Sequence, residues 1–215
     1  MCVKEKVNYL NEIVENIPDK YTDSHSWDSF EPRASTEAFR LRETFLKKGM
    51  FALVSWQWVK PFAKWIGDKK CLEVMAGRGW LSLALQSLGV DIIATDDYSW
   101  GNKRNWDEPV TEVEELDTIE AVKKYGEGVD LLIMSWPYMD DNAYNTIKEL
   151  NNINPDVQIV YIGEGYGGCT ASDEFHEHFQ EIEDEEFQNA VSGFQQWWGL
   201  HDYVSLGKYV KEEIE

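Results

Sequence analysis

A chain of 215 residues, 43% hydrophobic and 13% aromatic with ten Trp, carries enough apolar material for one domain with a buried core, which excludes disorder as the default. Forty acidic side chains against twenty basic ones leave a net charge of -20. That balance disfavours a nucleic-acid partner, because binding to a phosphate backbone rests on Lys and Arg displacing counterions.

The first 69 residues read as a helical extension. A helical segment over 3–16 is stopped by Pro18, the polar stretch over 21–35 reads as loop, and a helix restarts after Ser35, with Phe39, Leu41 and Phe45 on roughly one face. Gly49 divides it from a second helical run over 50–66, which carries Trp56, Trp58 and Trp65 and is interrupted at Pro61. From Lys70 onward, short apolar runs at 71–75, 90–96, 110–113, 129–136 and 157–163 alternate with the helical patterns WLSLALQSLG, DTIEAVKKYG and AYNTIKELNNI. A further helix over 173–190 and a closing antiparallel hairpin made by FQQWW and HDYVSLGKYV complete the chain. Such alternation predicts βαβ units, hence an α/β fold with a mostly parallel sheet and helices on both faces. The expected organisation is a single domain over 1–215, with a helical extension over 1–69 and a Rossmann-like core over 70–215.

Three cysteines, Cys2, Cys71 and Cys169, are widely spaced and form no CxxC pair, so neither a disulfide framework nor a metal site is expected. The N-terminus has no signal-peptide core and no apolar run reaches membrane-spanning length, so a cytoplasmic protein with no membrane association is expected.

In an open parallel sheet, ligands bind beyond the carboxyl ends of the strands. Gly77 and Gly79 fall on the first strand-to-helix bend, where missing β-carbons let backbone amides approach a ligand, and Glu73 sits near the end of that strand. A dinucleotide fingerprint, G-x-G-x-x-G, fails at Ser82, and a pyrophosphate does not favour a carboxylate at Glu73. Both features argue against a nicotinamide-dependent oxidoreductase, which stays the lesser alternative. The second strand ends in Asp96, whose two acceptor oxygens suit a vicinal diol, with Asp97 beside it. Asp117-Thr118-Ile119-Glu120 reads as a helix N-cap with its capping-box partner.

Glu73-Val74-Met75-Ala76-Gly77-Arg78-Gly79 resembles motif I, D/E-x-G-x-G-x-G, of the Rossmann-like (class I) S-adenosylmethionine-dependent methyltransferases, departing at Met75, where that family commonly has Gly. Ser135-Trp136-Pro137-Tyr138 resembles their D/N/S-P-P-Y/W/F motif IV, with Trp136 in place of the first proline. The resemblance covers roughly residues 70 to 165 and rests on the order and spacing of these motifs. It implies the methyltransferase sandwich and S-adenosylmethionine as cofactor, held by Glu73, Met75, Ala76, Gly77, Gly79, Asp96, Asp97 and Asp117. It also implies that Ser135, Pro137 and Tyr138 face the methyl acceptor, a small molecule or a protein, at an amino nitrogen. A site of this kind works mostly by positioning an amine lone pair against the methyl carbon. The altered positions Met75 and Trp136 keep a second class open, a non-catalytic relative serving as a binding protein.

Other candidates fall outside these motifs. Glu164 and Tyr166 lie in a loop with four glycines in six positions over 163–168, where they could meet a substrate. His176 and His178, two residues apart on a helix, make a poor metal pair. Trp197 and Trp198 read as core or as a pocket wall with His201 as base, and Trp56 and Trp58 as core or as a lid. Cys169 lacks an activating base nearby and reads as an inert thiol. Lys103 and Arg104 form the one basic pair near the expected site, too little for a polynucleotide.

Overall fold

A computed structural model describes residues 8–22, 32–99 and 108–211. Cys2, Lys103, Arg104 and much of the polar stretch over 21–35 lie outside the described residues.

The N-terminal segment differs from the expected helix over 3–16. Helical backbone ends near residue 10, and Val14 instead bridges to Ser55 in parallel fashion. The amides of Trp56 and Gln57 donate to the carbonyls of Val14 and Glu15, each at 2.9 Å. These amides open the next helix and have no acceptor within it, so an unwound segment supplying carbonyls satisfies them. The first full helix, α1 (Pro32–Leu46), starts earlier than expected. Proline is well placed there, since the first turn requires no amide donor from it. Helix α2 spans Trp56–Ile66 and contains Pro61, while residues 50–55 ahead of it are largely buried and not helical.

Strands and helices then alternate as β1 (Cys71–Val74), α3 (Trp80–Ser87), β2 (Ile92–Asp96), β3 (Glu114–Glu115), α4 (Thr118–Tyr125), β4 (Leu131–Ser135), α5 (Asn142–Ile153) and β5 (Gln158–Gly163). The strand expected at 110–113 sits further on, at Glu114–Glu115, where Thr95 and Asp96 pair with it. Residues ahead of it serve packing instead: Val110 is fully buried and its amide donates to the Arg78 carbonyl at 2.9 Å. The helix expected over 173–190 is divided into α6 (Asp173–His178), β6 (Phe179–Glu181) and α7 (Glu185–Val191). Two N-caps mark the division, Ser172 for α6 and Asp184 for α7, each side chain accepting a backbone amide.

Among the described residues the strands form one seven-stranded sheet in the order β3-β2-β1-β4-β5-β7-β6. All neighbours from β3 to β5 pair parallel; β7 (Tyr203–Tyr209) inserts antiparallel between β5 and β6. The expected closing antiparallel element is therefore present at HDYVSLGKYV, but its partners are β5 and β6, and FQQWW forms no strand.

Strand side chains alternate between two helix layers, as the pleat requires. Leu131, Ile133, Val160 and Ile162 pack with Phe45, Trp58, Phe62, Leu85, Phe187 and Trp197 on one face. Leu72, Val74, Leu132, Met134 and Ile159 pack with Val122, Ile147, Leu150 and Phe175 on the other. The N-terminal helices are thus part of one layer. Trp56 is partly buried against that core, and Trp58 is fully buried with its indole N–H on the Leu53 carbonyl at 2.9 Å, which makes it core and not a lid.

Candidate functional site

Strand order reverses between β1 and β4, which run parallel, and the space beyond the carboxyl ends at such a switch point is where ligands bind in open α/β sheets. A cleft of about 400 Å³ lies there. Its lining includes Glu73, Met75, Ala76 and Gly77 at the end of β1 and just beyond it, Asp96 and Asp97 at the end of β2, Asp117 before α4, and Ser135, Pro137 and Tyr138 at the end of β4 and just beyond it. The structure thus brings to one cleft every residue that the two motifs and the strand-end acids single out except Gly79.

Gly79 has a different task. It caps α3 in the left-handed region, at φ 79°, and a β-carbon there would meet methyl groups of Val113 and Thr111 at 2.8 and 2.9 Å. Gly79→Ala is therefore expected to destabilise the fold by about 1–3 kcal/mol through backbone strain and overpacking. Urea denaturation reads this directly, and an unchanged midpoint would show that the 110–113 segment yields freely. Gly77, also left-handed at φ 56°, has nothing within 4 Å of a would-be β-carbon, so it opens onto free space.

The bend also depends on Arg78, to which the sequence reading gave no role. Its guanidinium is buried and donates from Nε and Nη2 to the Glu108 carbonyl at 3.0 and 2.7 Å, and from Nη1 to the Lys48 carbonyl at 2.9 Å. The Trp80 indole donates to the same Lys48 carbonyl at 2.8 Å. These bonds tie the glycine bend to the chain beyond α1.

Glu73 is 1% exposed and accepts a short hydrogen bond from the Ser82 hydroxyl of α3. Burial pushes its carboxyl up to about 7, against the pull of the Ser82 bond. Ser82, which breaks the dinucleotide fingerprint, is therefore the partner of the acid at the end of β1. Asp96 accepts the Gly77 amide on Oδ2 at 2.7 Å and the Tyr98 amide on Oδ1 at 2.8 Å. Burial also holds it above the ordinary carboxylate range. Each oxygen keeps a second lone pair for an outside donor. Asp97 Oδ1 accepts the Ser99 amide at 2.9 Å in a local turn, and Asp117 Oδ1 caps α4 through the amides of Ile119 and Glu120 at 2.9 and 3.0 Å.

Two altered motif positions have left-handed backbones, Met75 at φ 55° and Trp136 at φ 61°. At Met75 the bend keeps a conformation that suits Gly, at a cost of about 1–2 kcal/mol to a residue with a side chain. At Trp136 the case is reversed, because a proline ring fixes φ near -65° and could not stand there. The loop after β4 consequently follows a course that a proline at this position could not follow. Trp136 donates its amide to the Ile162 carbonyl at 2.8 Å and its indole N–H to Asp202 Oδ1 at 2.9 Å, and its ring stacks on Phe51 at 5.2 Å. Phe51, Trp136 and Cys169 also line the cleft.

The remaining candidates are distributed otherwise. Glu164 braces its glycine loop, accepting the Cys169 amide at 2.8 Å and the His201 amide at 3.0 Å, and does not line the cleft. Tyr166 is exposed beside His176, outside the cleft lining. His201 is likewise outside it and Trp197 is core, the first of the two readings given for that stretch. Cys169 has its thiol pushed up to about 12 by burial and by Glu164, which suits an inert group. His176 contacts the Thr170 carbonyl while His178 Nδ1 contacts the Glu174 carbonyl, so the two serve separate positions. No described helix is long and apolar enough to cross a membrane.

Strand order, the reversed β7 and the cleft at the switch point define a Rossmann-like α/β fold. Among solved structures, the chain is similar to a SAM-dependent methyltransferase from Archaeoglobus fulgidus, at 16% identity and TM-score 0.47, over 83% of this chain and 100% of that one. It is similar to the Burkholderia thailandensis 1,6-didemethyltoxoflavin-N1-methyltransferase at 15% identity and TM-score 0.45, over 86% of this chain and 93% of that one. TehB from Haemophilus influenzae shares 17% identity at TM-score 0.44 over 71% of this chain, which spans 61% of TehB. No family model and no curated protein matches the sequence.

Proposed function

We propose that this chain is an S-adenosylmethionine-dependent methyltransferase with a small-molecule or protein acceptor at an amino nitrogen. The observation that carries the reading is convergence: nine of the residues singled out by two separated motifs and two strand-end acids surround one cleft, alongside Asp117 at the N-cap of α4. In this reading the Gly77 bend lies under the methionine portion, Asp96 takes the ribose hydroxyls, and Asp117 stands near the adenine. Glu73 presents a carboxyl group toward the cationic cofactor. Ser135, Pro137 and Tyr138 line the part of the cleft beyond β4, where the acceptor sits. The cofactor supplies an activated methyl on a good leaving group, and the protein contributes orientation and exclusion of water.

Isothermal titration of the purified protein with S-adenosylmethionine, S-adenosylhomocysteine and NAD tests the reading. Binding of the first two is expected, with Asp96→Ala weakening S-adenosylhomocysteine by about 10–100-fold, the loss of hydrogen bonds to a charged acceptor. Equal affinity of wild type and Asp96→Ala would remove Asp96 from the site. Binding of NAD in place of the other two would replace the reading with an oxidoreductase.

A further inference from the structure

Three segments far apart in the chain meet at Trp136. Phe51, ahead of α2, stacks on the indole at 5.2 Å with 20° between the planes; Asp202, ahead of β7, accepts its N–H at 2.9 Å. Phe51 is fixed in turn, because the fully buried Trp197 donates its indole N–H to the Phe51 carbonyl at 2.7 Å. The next residue in the loop is tied down as well, with the Ala171 amide on the Pro137 carbonyl at 3.2 Å. A bulky residue in the left-handed region persists only where its surroundings over-determine it, and such strain collects at ligand-binding positions.

Asp202 is buried beside the indole that it holds. It is 1% exposed, and its second oxygen, Oδ2, has no hydrogen-bond partner among the described residues. Trp136 itself is only partly buried, and with Phe51 it forms part of the cleft lining next to Tyr138 and Met139, which are 50% and 52% exposed.

We infer that Trp136, clamped between Phe51 and Asp202, is a specificity-determining residue whose ring forms a flat wall at the acceptor end of the cleft and selects a small planar aromatic amine. The inference rests on the methyltransferase reading for the word acceptor, and on the Phe51–Trp136–Asp202 geometry for the wall. Aromatic faces favour offset stacking of a second planar ring over a saturated one of equal size. The charged side chains in the cleft lining, Glu73, Asp96, Asp97, Asp117 and Asp140, are all acidic, which sets the sign against anionic arenes.

The test uses the full chain, ¹⁵N-labelled and saturated with S-adenosylhomocysteine, with indole N–H signals followed by NMR. The probes are 2-aminoquinoline, 2-aminobenzimidazole and adenine, with cyclohexylamine and quinoline-2-carboxylate as controls. The Trp136 signal is assigned by its disappearance in Trp136→Phe. At least one planar amine is expected to bind and to shift that signal, while both controls leave it in place. Asp202→Ala is expected to weaken the planar probe about five-fold, the loss of one net hydrogen bond. Affinity for S-adenosylhomocysteine should stay unchanged, and Asp202→Asn, which keeps an acceptor, should restore probe binding. If Asp202→Ala does not fold, Asp202→Asn and Trp136→Phe carry the comparison: the first keeps the anchor and the second loses it. A stationary Trp136 signal with every planar probe, or equal response to cyclohexylamine, overturns the inference. A shift by planar probes in a protein that fails to bind S-adenosylhomocysteine would retain the wall and overturn the methyltransferase reading instead.

Discussion

Replacing Trp197 by alanine is expected to cost about 3–5 kcal/mol of folding stability, the range for emptying a large aromatic site in a packed core. Its ring is fully buried, lies 5.1 Å from Phe45, and belongs to the core face that also holds Trp58, Phe62 and Leu85. Collapse of the neighbours cannot fill the space cheaply, because they belong to α1, α2, α3 and α7, each already packed on the sheet. The change also leaves the Phe51 carbonyl without the indole donor that now meets it at 2.7 Å. Trp197→Phe separates the two effects: it restores most of the packing and leaves the carbonyl unpaired, for an expected loss of about 1–3 kcal/mol. Urea denaturation of the three proteins measures both, and a loss below about 1 kcal/mol for alanine would mean that the layer repacks.

The same residue shows where sequence reading stops. Trp197 and Trp198 read as core first and as a pocket wall second, because an aromatic pair in a polar stretch carries no period to assign its face. Trp197 became core, and Trp136, recognised only as a departure from a motif, became one of the rings lining the cleft. The strands β1, β2, β4 and β5 were legible because buried parallel strands read as short apolar runs bounded by polar residues. By contrast, β6 was hidden inside an apparently continuous helical pattern, and its existence depends on β7, whose free edge it pairs. A strand that exists because of a non-local partner has no local signal.

The cleft was legible for a simpler reason. Strand ends at a switch point must converge, so acids and glycines placed just after β1, β2 and β4 had to share one space. What the sequence could not supply was the division of labour between Gly77, which faces open space, and Gly79, whose missing β-carbon accommodates Val113 and Thr111. Arg78 was unreadable in the same way, since its carbonyl partners at Lys48 and Glu108 are each 30 positions away.

Stability is expected to fall as pH rises from about 4.5 to about 7, with Glu73 and Asp202 as the principal causes. Burial raises Glu73 from 4.5 to about 7 and Asp202 from 3.8 to about 7, with Glu164 adding to the latter. Across that window the unfolded chain has lost both protons while the folded one keeps them, so the folded state binds more protons. Raising the pH therefore favours unfolding, and the stabilisation, complete below the unfolded values, is gone once pH passes the folded ones. Glu164 has the opposite sign, since its carboxyl is held below the ordinary value and its contribution is lost on acidification, so its effect lies at the acid end. The shifts correspond to roughly 3–4 kcal/mol for each raised group, an upper bound. Glu73→Gln, which can still accept from Ser82, should flatten the slope and exceed wild type in stability by about 2 kcal/mol at pH 8. Ligand binding should move the same proton. If the proposed site is right, a cationic cofactor beside Glu73 favours the ionised carboxylate, so S-adenosylmethionine binding near pH 6.5 is expected to release protons from wild type and fewer from Glu73→Gln. Calorimetry in two buffers of different ionisation enthalpy counts them. Equal proton release from both proteins would place the coupled group elsewhere, and a stability profile unchanged by Glu73→Gln would mean that Glu73 is ionised in the fold despite its burial.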